Sequence, residues 1–308
     1  ILNLAVIATM PAPDFTLASQ YVQHIGDQVA AKGVAVPLWL QQSGLPGNWL
    51  EEPAPSISLP IFERLVREAV SMTREPAIGL LVGERLLVNT HGMLGYAAMS
   101  SVTIRQMLEL FEHFIRLRIA LITARHEVHA DEVRLSFTEV LPLGDIRRPV
   151  LEGVLLAVKN VLDFITMGTC RLDYVAFPFE RPDYAVLAEG LFKCEVRYGQ
   201  SWAGFSLPPE QLDTPLKMAD PAAFQEAALI CRRELDKLSA NESLSARVQR
   251  VLLEKQNGFP SLAVTARLFH MTPRTLHRRL QQEGTSFQDI LEQLRHTLAL
   301  EHLKAERM

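Results

Sequence analysis

Residues 261–287 alternate helix-start and helix-stop signals so closely that only short helices joined by tight turns satisfy them. Ser261, behind Pro260, can cap a helix whose inward face is Leu262, Ala266 and Phe269, and His270-Met271-Thr272 is short enough to be the turn. Thr272 is then the N-cap of a second helix and Pro273 its first residue, where a missing N–H costs nothing. In that helix Leu276 and Leu280 lie four apart and face inward. Arg274, His277 and Arg278, spaced i, i+3 and i+4, fall on the opposite side. Glu283-Gly284 closes the helix, and Thr285-Ser286 caps a long one over 287–304. The pattern is a helix-turn-helix whose second helix offers three hydrogen-bonding side chains to a groove. An arginine pairs bidentately with guanine O6 and N7, a histidine donates or accepts at a base edge, and the flanking Arg279 is better placed for a phosphate. An isolated basic triplet is ordinarily a solvated helix face; the turn and caps around this one favour DNA.

Charge agrees with that reading. The 308 residues carry a formal net charge of −4, yet residues 241–308 hold 10 Lys+Arg against 7 Asp+Glu, net +3, while residues 1–240 hold 21 against 28, net −7. An acidic body with a basic tail points to a polyanion met only by the tail. At 48% apolar and 21% charged the chain is long enough for two domains with ample core, which excludes a disordered or collagen-like polymer. Cys170, Cys194 and Cys231 lie far apart, with no local zinc spacing and no disulfide framework, so a reducing cytoplasm is expected. The apolar stretch 1–10 is about half the roughly 20 residues a membrane span needs, so no membrane segment is expected.

Ahead of the motif, helices are expected over 15–31 with a stop at Gly33, over 61–73 before Pro76, over 103–123, over 148–167 as a half-buried helix, and from Pro221 to about Ser239. The Pro-rich stretch 36–60 predicts short turns of helix between loops. Alternation predicts strands within 127–140, with a turn at His129-Ala130-Asp131, and at 174–179, 194–198 and 202–207, the last two joined as a hairpin through Gly199-Gln200-Ser201. Glycines 79, 83, 92 and 95 match no phosphate-binding spacing and are expected in tight turns. The polar stretch 237–245 is the best linker.

The run Pro260-Ser261-Leu262 through Met271-Thr272-Pro273-Arg274-Thr275-Leu276-His277-Arg278-Arg279-Leu280 to Glu283-Gly284-Thr285-Ser286-Phe287 resembles the first helix-turn-helix of the AraC/XylS family of bacterial transcription regulators. In that family two such units flank a linker helix, to which 287–304 is similar. The second unit would begin where the chain stops, so the C-terminal half of the DNA-binding domain is expected to be missing. His270 stands where the family mostly has Gly, and a left-handed conformation there costs roughly 1 kcal/mol. More loosely, Pro76-Ala77-Ile78-Gly79-Leu80 to Gly83, Gly92-Met93-Leu94-Gly95-Tyr96, residues 191–199 and Leu212-Asp213-Thr214-Pro215-Leu216 resemble the arabinose-binding-type sensor domain of some of those regulators. That name implies effector sensing and dimerisation, not arabinose.

The resemblance implies a sequence-specific transcription regulator, not an enzyme, with no cofactor or metal. Its expected partners are double-stranded DNA, a small-molecule effector, a second copy of the chain and RNA polymerase. The alternative is a front domain that binds a partner protein instead of a metabolite. The expected fold is α+β: a helix-rich sensor domain with a small antiparallel sheet over 1–238, then an all-α module over 239–308. The DNA-contacting set is Arg274, Thr275, His277, Arg278 and Arg279, with Ser261 and Thr272 as cap or phosphate residues. Cys194 beside Lys193 could be a reactive thiol, but a packed strand cysteine is the better reading, since no His lies near it. Arg105, Arg116, Arg118, Arg125 and His126 could line a pocket for an acidic effector; the wet side of the long helix is the plainer role. Trp39, Trp49 and Trp202 are read as packing residues.

Overall fold

The computed structural model describes residues 17, 19–51, 57–241, 243–253, 259–292 and 294–295. Contacts divide these residues into two compact units, 15–235 and 236–308. The first is built from α1 (Ser19–Ala31), α2 (Val36–Gln42), α3 (Leu59–Thr73), α4 (Ile78–Arg85), α5 (Gly92–Met99), α6 (Ile104–Phe114), β1 (Ile122–Val128), β2 (Val133–Glu139), α7 (Arg147–Ile165), β3 (Tyr174–Ala176), α8 (Ala185–Phe192), β4 (Glu195–Arg197) and β5 (Ala203–Leu207). Helix α9 (Pro221–Asn241) runs past the boundary, and the second unit holds α10 (Leu244–Leu253), α11 (Leu262–Leu268) and α12 (Pro273–Gln282). The class is α+β and mostly helical.

The sheet order is β1-β2-β5-β3-β4. All pairs are antiparallel except β3 with β4, which is parallel, so the sheet is mixed rather than antiparallel. The expected hairpin between β4 and β5 does not form. After β4 the chain turns at Gly199 (φ +67), whose N–H donates to the Phe179 carbonyl while Gln200 N–H donates to that of Phe177. β3 therefore lies between β4 and β5, and α8 is the crossover that makes β3 and β4 parallel.

Helix α6 is shorter than expected. Its N-cap Thr103 accepts from Gln106 N, one 3-10 turn follows at Ile115–Leu117, and the β-branched pair Ile122 and Thr123 joins β1, opposite Glu139 and Thr138. Cross-strand pairing outweighs the weak preference for continuing a helix. Two of the charges in α7 mark no wet face: Glu152 is 1% exposed and Lys159 5%.

Three glycines expected in turns are helical instead. A Cβ on Gly79 would overlap the Pro149 carbonyl, and one on Gly83 would lie 2.9 Å from the Gly153 carbonyl, so both let α4 and α7 meet backbone to backbone. Gly95, inside α5, has no room because of the Val88 carbonyl. Only Gly92 is a turn glycine, at φ +54. The expected linker is in part helix, since α9 continues to Asn241 and α10 begins at Leu244.

Candidate functional site

Helix α12 is fixed at both ends. Thr272 Oγ1 accepts from Thr275 N at 3.1 Å and Pro273 occupies the first helical position. Upstream, Ser261 Oγ accepts from Val264 N at 3.4 Å at the start of α11. That helix ends with His270 left-handed at φ +52: His270 N–H donates to the Arg267 carbonyl at 3.0 Å and Met271 N–H to that of Ala266 at 2.8 Å. This is the two-bond termination for which glycine is usual, and Met271 packs on the core beside it. The same pair of bonds closes α12 through Gly284 (φ +78) and Thr285.

Between these caps Leu276 and Leu280 are fully buried with Val248, Leu252, Ala266 and Ile290. Their burial turns Arg274, His277 and Arg278 outward, and Arg279 is exposed as well; Thr275 is half-buried, its hydroxyl 2.9 Å from that of Thr272. Residues 287–292 are helical, started by Ser286 Oγ, which accepts from Asp289 N. Residues 296–304 of the expected long helix lie outside the described residues.

One residue of this unit has a role beyond closing its helix. Glu283 accepts from Leu244 N at 2.7 Å through Oε1 and from Ser245 N at 2.8 Å through Oε2, so the last residue of the α12 turn caps α10. Burial works to raise the Glu283 carboxyl, but the N–H donors of Ser245 and Leu244 outweigh it and hold it below its ordinary value.

The first unit contains a cavity of about 120 Å³ among α1, α3, α4, α6 and α7. Three of its lining residues are polar, Tyr21, His91 and Arg118; the rest are apolar, Gly or Pro. Tyr21 Oη and His91 Nδ1 are 3.0 Å apart. Burial, helped by the Arg118 charge, holds His91 down to about 4, so it is neutral at pH 7. Arg118 Nη2 donates to Glu234 Oε2 on α9 at 3.5 Å. A void of this size costs on the order of 3 kcal/mol if empty.

Of the five basic residues around α6, Arg118 alone is among those lining this cavity, which corrects the reading of it as wet surface. Arg105 grips Asp213 at 2.7 and 2.8 Å, and His126 Nδ1 lies 2.8 Å from Glu112. Trp39 is fully buried, its Nε1–H donating to the Leu65 carbonyl. Burial pushes the Cys194 and Cys170 thiols up to about 11, the opposite of an activated nucleophile. Among the described residues no group of His, Cys, Asp and Glu could hold a metal, and no helix is long and apolar enough to cross a membrane.

Known proteins bear on both units. The family described as the N-terminal arabinose-binding domain of AraC transcription regulator matches residues 33–216. The ornithine utilization regulator of Pseudomonas aeruginosa is 30% identical over 288 residues, 94% of this chain and 85% of that protein. The transcriptional regulator VqsM of the same organism is 25% identical over 72% of this chain and 70% of its own. The crystal structure of the transcriptional regulator CdpR, also from Pseudomonas aeruginosa, shares the fold at a TM-score of 0.53 and 23% identity, covering 93% of this chain and 86% of that one. With the capped helix-turn-helix of residues 261–284 beside these matches, the chain belongs to the AraC-type transcriptional regulators, a family of DNA-binding proteins and not of enzymes, and carries their N-terminal arabinose-binding-type domain.

Proposed function

We propose that the chain recognises operator DNA through α12 and that residues 1–238 sense a small effector and dimerise, leaving residues 239–308 to the DNA. Arg274, His277 and Arg278 read base edges in a major groove, Thr275 stands beside them in the DNA-contacting set, and Arg279 holds a phosphate together with the capped helix starts at Ser261 and Thr272. The observation that carries this is the division of α12 into a buried leucine side and an exposed face bearing Arg274, His277 and Arg278. The regulator works in the cytoplasm, with RNA polymerase as a further partner. The apolar cavity supports a small molecule over a partner protein as the input, because its small concave apolar lining suits a compact ligand.

Arg278→Ala tests the base-reading role. It is expected to weaken the cognate duplex by about 1 to 3 kcal/mol and to relax preference at one position, whereas Arg279→Ala should weaken all duplexes alike and lower the salt slope by about one. Titration of labelled duplexes at several salt concentrations measures both. An equal loss on every sequence for Arg278→Ala makes it a phosphate contact and overturns its assignment.

A further inference from the structure

The cavity and the helix that leads out of the first unit share one side chain. Arg118 lines the cavity from the end of α6, and the same guanidinium reaches Glu234 on α9 at 3.5 Å, the long limit of a hydrogen bond. Its buried Nε has no hydrogen-bond partner among the described residues. The guanidinium lies against Gly92, 3.5 to 3.6 Å from where a Cβ would stand. Elsewhere α9 is anchored by small buried side chains, Ala227 and Cys231, with Phe224, Ala228 and Leu235 half-buried. Among the described residues no Asp or Glu lines the cavity, so a ligand ammonium finds no partner there, and three polar side chains are too few for the hydroxyls of a sugar.

We propose that this cavity takes a small monocarboxylate with a compact apolar body, and that its carboxylate draws Arg118 away from Glu234 and so loosens α9. The proposal rests on reading the first unit as an effector sensor. Arginine binds a carboxylate best through two parallel N–H donors, and Arg118 makes one long contact with Glu234 while its Nε–H is free to complete such a pair. The body that fits is about five or six carbons, since a somewhat larger apolar protein cavity of about 150 Å³ holds benzene. Tyr21 Oη and His91 Nδ1 are engaged with each other at 3.0 Å, which leaves Arg118 as the charged group of the lining. Because α9 continues from Glu234 to Asn241, the chain carries the change directly toward α10.

The test is calorimetric titration of the 308-residue chain with cyclohexanecarboxylate and 4-methylpentanoate, beside cyclohexanecarboxamide, cyclohexylmethylamine and arabinose. Both carboxylates should bind one to one, at least 10-fold tighter than the amide and the amine. Arg118→Gln should weaken them at least 10-fold, and Ala157→Leu, which fills the space, should abolish binding; circular dichroism checks that each variant is folded. Glu234→Gln should tighten them several-fold. Amide hydrogen exchange in 232–241 should quicken when cyclohexanecarboxylate binds, and should already be quick in ligand-free Glu234→Gln. Equal binding of amide and carboxylate, an unchanged affinity in Arg118→Gln, or no binding by either carboxylate overturns the proposal. Binding of the amide or the sugar alone would do so while leaving the sensor reading intact, and DNA binding, read separately, is untouched by any of these results.

Discussion

Gly79 and Gly83 lie one helical turn apart on α4, and neither has room for a methyl group against α7. Gly79→Ala must push two backbones apart and is expected to destabilise the first unit by about 1 to 3 kcal/mol, the usual range for overpacking; urea unfolding measures the loss. Glu152 carries a different cost. Burial raises its carboxyl from 4.5 to about 8, against the hydrogen bond donated by Tyr184 Oη at 2.9 Å. The folded chain therefore keeps a proton that the unfolded chain releases, and between those pH values stability falls as pH rises, by at most about 1.4 kcal/mol per unit. Glu152→Gln keeps an acceptor for Tyr184 without titrating, so it should unfold at higher urea than wild type at pH 8 and at nearly the same urea at pH 5. Parallel curves across that range would contradict the assignment. At this scale Arg274, His277 and Arg278 were legible because their geometry is set by spacing within one helix. The cavity residues were not: Tyr21 and His91 stand 70 positions apart, and only the packed fold brings them together.

Helix ends were more legible than helix packing. Ser261, Thr272 and Ser286 cap the helices that their sequence positions predict, because a cap is a contact within three residues. The mixed sheet was not foreseeable from alternation, which fixes faces but not neighbours, so β4 and β5 looked like a hairpin when β3 separates them. The glycine-rich stretches misled for a similar reason: whether a glycine serves a turn or a close helix crossing depends on what lies opposite. Glu283 is the long-range cap, joining the end of α12 to the start of α10 across 39 positions. Glu283→Ala is expected to cost about 1 kcal/mol, the size of a capping loss at an exposed carboxylate. Since the fold lowers that carboxyl, its contribution is present above the ordinary carboxylate range and is lost as pH falls through the lowered value. Thermal unfolding of wild type and variant should therefore converge in acid; a difference that persists there would mean that packing, not the ionised cap, was lost.

Over the whole molecule, two units with different charge balance and separate cores agree with the membership of the chain in the AraC-type regulators. Among the described residues the second core gathers eight buried side chains around one helix. The first core is large and keeps an apolar cavity of about 120 Å³ among its helices, a site where a bound effector would add stability. We propose above all that α12 reads sequence. The most direct test is selection from a random-sequence duplex library by the 308-residue chain at moderate salt, wild type beside Arg278→Ala. Wild type is expected to enrich one motif, and the variant the same motif with one position relaxed. Failure of wild type to enrich any motif would contradict it.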